Sequence, residues 1–496
     1  MTPPAGSLSG IEHIFLLMLE NRSFDHMLGF SGITGTDAVT QTRRPIDGLT
    51  GSESNSWNGT PHRVCHPADY VMPIDPGHEF CDVLTQLAGP DACCKGDPYP
   101  IVVNTGFVAS YAAHGGSSNL SEIMMCYGPE QLPVLNALAQ EFALCDNWHA
   151  SMPGPTFPNR FFSLAASSGG LDHSPSTWDV IVWAVAGHSF KMGTIFDRLS
   201  AAQLTWRIYA GDDFPVALAL EGVGWGDITP YSSFAADVAR QDYPAAFTLI
   251  EPRYNFLADY QNGTSQHPRD DVRCGEVLLK RTYEAIRNSP VWNASLLIVT
   301  WDEHGGFYDH AAAPAPAQAP GDTQPGDPAN RYGFAFQNYG PRVPAVIVSP
   351  LIQRNIVDRR LYDHASIPAA IEGCFGLQPL TKRDASVGSP MALVTLGRPR
   401  ADTPATLPSP ADGGLTCDDM ATVGATKVSE PSKPVDGSSL PGFLYIVLRT
   451  ELALSPPRDQ NEILRRFATI RTRGEALQYV SLVQQKVSQA RLARPK

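Results

Sequence analysis

The chain has 496 residues, 43% of them hydrophobic and 18% charged, with a formal charge of −13. This composition packs a globule and excludes global disorder. The acidic balance excludes nucleic acid as the main partner, because phosphate backbones attract basic surfaces, and the length calls for a large catalytic domain carrying an appendage.

The first ten residues carry no basic region or twin arginine, and the apolar stretch after them contains Glu12 and His13. That stretch reads as a strand, not a signal peptide, so the expectation is a cytoplasmic protein as written, or an exported one whose leader has been removed. No run approaches the length of a transmembrane helix. Residues 14–19 are continuously apolar, as a strand covered on both faces requires. The run stops at Glu20-Asn21, and a helix is expected over 22–28, capped by Ser23 or Asn21. Residues 47–100, rich in Gly, Pro, Asn, Ser and Cys, predict a long irregular excursion over the sheet edge. The chain holds nine cysteines. Adjacent Cys93 and Cys94 are not expected to bond to each other, and disulfides among Cys65, Cys81, Cys93, Cys94 and their neighbours stay unassigned.

Helical spacing predicts a helix over 132–141, followed by a strand over 142–146, a turn over 152–159 and a helix over 160–167. Further helices are expected over 193–200, 232–241, 271–288 and 366–375, and strands over 205–209, 246–250, 295–300 and 345–348. Such alternation means an α/β fold, a mostly parallel central sheet with helices on both faces. Residues 311–330, dominated by Ala, Pro, Gly and Asp, read as a flap. The expected organisation is a catalytic domain over 1–396, a Pro/Ser/Thr-rich connector over 397–441 and a helical segment over 442–496. In the last segment Arg465, Arg466, Arg471 and Arg473 read as a solvated helix face.

Two acidic pairs close predicted strands: Glu20-Asn21 and Asp302-Glu303. Both offer oxygen ligands that divalent ions accept, and they converge if the strands are neighbours. Either pair alone is better explained as a helix cap or turn; together they point to a metal. Thr156 lies in Met152-Pro-Gly-Pro-Thr-Phe-Pro-Asn-Arg160, where prolines fix the backbone and a helix N-terminus favours a developing anion. A hydroxyl deprotonated there by a metal can attack phosphorus, with Asn159 and Arg160 holding phosphate oxygens. By itself the segment is only a braced cap. His78, His267, His304 and His364 have suggestive neighbours for proton transfer or metal binding, although any single histidine is more often structural. His26, His114, His149, His173, His188 and His310 carry less context.

Four segments in order, Glu20-Asn-Arg-Ser-Phe-Asp25, Thr156-Phe-Pro-Asn-Arg160, Asp302-Glu-His-Gly-Gly-Phe-Tyr-Asp-His310 and Gly340-Pro-Arg-Val-Pro344, resemble the phosphoesterase family of bacterial and plant non-specific phospholipases C and related acid phosphatases, within the alkaline-phosphatase-like superfamily. The resemblance spans residues 10 to 390. It implies a divalent metal (Ca, Mg, Mn or Zn) held by Glu20, Asn21, Asp302, Glu303 and Thr156, with Thr156 transiently phosphorylated. By spacing, His78 implies a phosphate contact and His267 the leaving-group acid or a second contact, while His364 joins Asn159 and Arg160 as substrate-binding candidates. One departure is that no clear counterpart is found of an Asp-His pair that some phosphatase members carry between Thr156 and His267, Asp212-Asp213 being only a weak candidate. The expected activity is a phospholipase C releasing diacylglycerol and a phosphorylated head group, with transient contact at a membrane surface. The alternatives are a broad phosphomonoesterase and a silent binding protein on the same fold.

Overall fold

A computed structural model describes residues 10–115, 118–186, 188–323, 326–411, 417, 430–435 and 439–493. The expected strands over 14–19, 205–209, 246–250, 295–300 and 345–348 form within a residue of their predicted bounds. In chain order the sheet strands are β1 (His13–Leu19), β2 (Thr34–Asp37), β3 (Arg43–Pro45), β4 (Ala143–Cys145), β5 (Thr205–Ala210), β6 (Ile228–Pro230), β7 (Ala245–Glu251), β8 (Ser295–Trp301), β9 (Ala345–Val348) and β10 (Ile356–Asp358). They lie side by side as β3-β2-β10-β4-β9-β8-β1-β7-β5-β6. The block β8-β1-β7-β5-β6 is parallel throughout. β9 runs antiparallel to both neighbours, as β3 does to β2, so the sheet is mostly parallel. Every residue of β7, β8 and β9 is buried, which requires cover on both faces and explains their largely apolar sequences.

The helices that position the site are α1 (Phe24–Leu28), α2 (Phe80–Ala88), α3 (Pro133–Glu141), α4 (Thr156–Ala165), α5 (Thr177–Ala186), α6 (Val272–Arg287), α7 (Ser366–Phe375), α8 (Leu440–Leu454), α9 (Gln460–Phe467) and α10 (Arg473–Ala493). Ser23 caps α1, its Oγ accepting from His26 N. α4 begins at Thr156, four residues before the expected start, because Pro155 supplies an extended cap and fixes the entry. The helix expected over 232–241 shortens to Phe234–Val238.

Two expectations change. The excursion over 47–100 contains α2, whose Phe80, Val83, Leu84 and Leu87 are buried at helical spacing, with Glu79 and Asp82 forming a capping box. It also holds a hairpin, Ser54–Trp57 with Thr60–Arg63. The flap over 311–330 is pinned where described: Ala317 N donates to Gln337 O, Lys382 N to Pro320 O and Ser167 Oγ to Asp322. Disulfides join Cys81 to Cys94 and Cys274 to Cys417, the second tying α6 to the connector. The C-terminal helices share the core of the sheet. Leu440, Phe443, Leu444, Ile446, Val447 and Leu448 belong to the same hydrophobic cluster as β1, β7 and β8.

Candidate active site

β1 and β8 pair in parallel register from His13↔Ser295 to Leu19↔Trp301. The next residues of each strand therefore meet at one edge, Glu20 with Asp302 and Asn21 with Glu303. Backbone bonds continue past the strands, from Asp302 N to Leu19 O and from Arg22 N to Glu303 O. Asn21 N donates to Asp302 Oδ1 at 2.9 Å, and the Asn21 amide donates to Glu303 Oε1. Gly305 N closes the turn onto Glu303 Oε2 at 2.8 Å. Gly305 has φ +65°, and a Cβ there would strike the Asn21 backbone, so this close approach admits only glycine.

All four side chains are buried. Burial, opposed by Arg160, pushes the Glu20 carboxyl well up, and burial likewise raises Asp302 to about 6. Glu20 Oε2 and Asn21 Oδ1 have no hydrogen-bond partner. Each such orphan costs about 1–3 kcal/mol unless something satisfies it. Asn21 is also held at φ 58°, a left-handed strain that persists where surroundings enforce it. Orphaned hard oxygens amid crowded buried carboxyls fit a divalent cation, which would offset the charge and fill the empty donor positions. A second group, Asp25, Asp309 and His310, also brings ligand atoms within 4.8 Å of one another. There the buried Arg342 guanidinium already bridges Asp25 and Asp309 at 2.9 Å each, taking the place of a cation.

Thr156 is buried at the first position of α4. One turn on, Arg160 lies on the same helix face and reaches the strand ends, Nε donating to Asp302 Oδ2 at 3.0 Å and Nη2 to Leu19 O at 2.9 Å. Thr156 therefore shares the helix face from which Arg160 reaches Asp302, at a helix start where amides stabilise negative charge.

The three substrate-binding candidates all have protein partners. Arg160 is spent on Asp302 and the carbonyls of Met18 and Leu19. The Asn159 amide donates to Gly154 O at 2.9 Å and Pro155 O at 3.1 Å and accepts from Met152 N, holding the turn before Thr156. His364 Nε2 bonds Asp302 O at 2.6 Å while Nδ1 accepts from Trp148. Arg160 and His364 thus hold Asp302, and Asn159 holds the turn before Thr156. His304 is likewise enclosed, between Gln86 and Glu303.

His78 and His267 are brought together edge to face, with ring centroids 6.3 Å apart. His78 Nε2 lies 3.3 Å from the Asn21 amide and Nδ1 2.9 Å from Pro76 O. Burial opposes its charge, but Glu303 and Asp75 outweigh that and raise it to about 10. Burial and the charges of His78, Arg22 and Arg269 hold His267 well below the usual range. Its ring stacks on Tyr260 at 3.6 Å.

Several residues were passed over in the sequence. Asp75 stands 3.5 Å from His267 Nε2; the signal was its place three residues before His78. Ser265 hydrogen-bonds Glu20 and Tyr260 covers His267, both from the segment between β7 and α6. An adjacent Asp172-His173 lies between Thr156 and His267. Its ring bonds Asp172 at 2.9 Å and Asp179 at 3.2 Å, and Ser174 N donates to Glu79, next to His78. Asp212 and Asp213 are structural, Asp212 accepting from Tyr254 N and Asp213 pairing with Arg491.

The profile of the phosphoesterase family matches residues 11–378. Non-specific phospholipase C6 of Arabidopsis thaliana is 38% identical over 422 residues, 81% of this chain and 76% of its own length. Phospholipase C A of Mycobacterium tuberculosis is 27% identical over 487 residues, 87% of each chain. Among solved structures, a protein in the alkaline phosphatase superfamily from Vibrio parahaemolyticus aligns over 53% of this chain and 65% of its own, with 16% identity and a TM-score of 0.32.

Proposed function

The chain belongs to the phosphoesterase family and is a phosphoric ester hydrolase, and from that premise we propose that it is a metal-dependent phospholipase C. The observation that carries the reading is the meeting of Glu20-Asn21 with Asp302-Glu303 at adjacent strand ends, beside the α4 face that Thr156 shares with Arg160. The names of the relatives supply the lipid substrate class.

Glu20, Asn21, Asp302 and Glu303, with Thr156, are the residues that would hold the metal. When bound, a divalent cation supplies Lewis acidity and lowers the pKa of an oxygen nucleophile. The all-oxygen set suits Ca²⁺, Mg²⁺ or Mn²⁺, and Zn²⁺ only if a histidine joins. Thr156 Oγ attacks phosphorus in line and the bond from phosphorus to the glycerol oxygen breaks, leaving the head-group phosphate on Thr156. His78 contacts the phosphate oxygens. Water then displaces Thr156 and releases the phosphorylated head group.

A lipid substrate also needs transient contact with a membrane surface. Trp178, 71% exposed, follows the loop whose Ser174 bonds Glu79, and Val71, 39% exposed, lies just before Asp75. Both apolar side chains flank the segment that carries His78, as an interfacial substrate requires. Among the described residues no helix is long and apolar enough to cross a membrane.

The test is turnover of phosphatidylcholine and p-nitrophenyl phosphate by the purified protein, with and without chelator. Diacylglycerol and phosphocholine are expected, with loss on chelation and recovery on adding metal back. Turnover of the monoester alone would assign a phosphatase instead.

A further inference from the structure

The two nitrogens of His267, whose ring lies beside His78, have distinct fates. Nδ1 accepts from Arg269 N at 3.3 Å, so in the neutral ring the proton is on Nε2. Nε2 faces Asp75 Oδ1 at 3.5 Å. A neutral imidazole in that tautomer is a poor proton source, since donation would leave an imidazolate. It is a good donor to a carboxylate.

Asp75 has the complementary character. Its Oδ1 is buried with no hydrogen-bond partner, while the side chain as a whole is 40% exposed. A carboxyl group thus stands with one oxygen turned to His267 and the rest open. The position is enforced. Arg269 Nη1 donates to Met72 O at 2.6 Å and also to Pro73 O, and Met72 N donates to Pro268 O at 2.8 Å, so the two segments are stapled side by side. The charged groups around Asp75 are His78 and Arg269, which favour its ionised form, and Asp259 and Glu303, which oppose it. Desolvation of the buried Oδ1 comes first among these influences and, with the two carboxylates, raises Asp75 to about 6, which brings the protonated form within reach at slightly acid pH.

We infer that Asp75, oriented by His267, is the catalytic acid that protonates the departing glycerol oxygen. The inference rests on the phospholipase C reading. In the first half Thr156 Oγ, entering as the alkoxide with its hydroxyl proton already lost to solvent, bonds to phosphorus, the bond from phosphorus to the glycerol oxygen breaks, and the Asp75 proton goes to that oxygen. The Asp75 carboxylate then accepts from His267 Nε2–H. In the second half water attacks phosphorus, its proton returns to Asp75, and the electron pair of the breaking bond returns to Thr156 Oγ. The resemblance implied this duty, or a second phosphate contact, for His267; the tautomer favours Asp75.

The experiment compares kcat/KM of Asp75→Asn on two phosphocholine esters, short-chain phosphatidylcholine and p-nitrophenyl phosphorylcholine. The first leaving group needs a proton; the second leaves without one. Asp75→Asn is expected to lose about 100-fold or more on the lipid and stay within about threefold of wild type on the nitrophenyl ester. Retained nitrophenyl activity also certifies that the variant folds. Asp75→Glu, which keeps an ionisable carboxyl, is expected to recover part of the lipid rate. Equal losses on both esters, or no loss on the lipid, would overturn the assignment. Failure of the wild type to turn over either ester would overturn the phospholipase reading beneath it.

Discussion

Arg160 donates to Asp302 and to the carbonyls of Met18 and Leu19, and its guanidinium lies over Tyr254 at 5.2 Å. It ties the helix of the proposed nucleophile to both strand ends, so Arg160→Ala should unfold more easily. Removing one partner of a buried pair typically costs about 3–5 kcal/mol, and the loss is expected in thermal melting of the metal-free protein. A residue that bound phosphate would instead raise KM and leave the melting temperature alone. His310 supports a second residue-level prediction. Burial opposes its charge, but hydrogen bonds to Asp25 and Asp47 outweigh that and push it up to about 10. Its folded pKa exceeds the unfolded value of about 6.5, so its contribution is full below pH 6.5 and fades as pH rises toward 10. His310→Gln should abolish that part of the decline in denaturation midpoints between those limits. At this scale the acidic pairs were legible because a carboxylate closing an apolar strand is costly and therefore pointed. Asp75 was not, because its meaning depends on a histidine almost two hundred positions away.

At the scale of elements, α8 is the piece whose placement matters most. Phe443 packs on Phe157 at 5.5 Å, Tyr254 at 5.1 Å and Phe256 at 4.5 Å, joining the helix that starts at Thr156 to the segment after β7. A Cβ on Gly442 would run into the Phe157 ring, next in sequence to Thr156. Gly442→Ala is therefore expected to destabilise by about 1–3 kcal/mol through overpacking and to lower kcat as α4 shifts, measured by thermal melting and turnover. Strands such as β7 and β8 could be read directly, since strands covered on both faces are largely apolar. Their order could not: the antiparallel insertion of β9 between β8 and β4 comes from distant pairing that no local pattern records. α2 was obscured by the surrounding Gly and Pro, although its apolar spacing was regular.

Over the whole molecule, one hydrophobic cluster runs from β1 to α10, with the strand-end carboxylates set at its edge. Such a site is expensive without a counter-charge, so metal should stabilise the fold as well as enable turnover. Chelation is expected to lower the melting temperature, and added metal to raise it by about 2.7 kcal/mol equivalent at a hundredfold excess over Kd. The parallel sheet and both acidic pairs were visible in the sequence, whereas the bracing roles of Asn159, Arg160 and His364 required the packing around them. The central claim is that Thr156 carries the head-group phosphate during phospholipid cleavage. Its most direct test is an acid quench during turnover of phosphatidylcholine, with mass analysis of the peptide containing Thr156. A phosphocholine adduct on Thr156 is predicted, with neither adduct nor diacylglycerol from Thr156→Ala; diacylglycerol released by Thr156→Ala at the wild-type rate would contradict it.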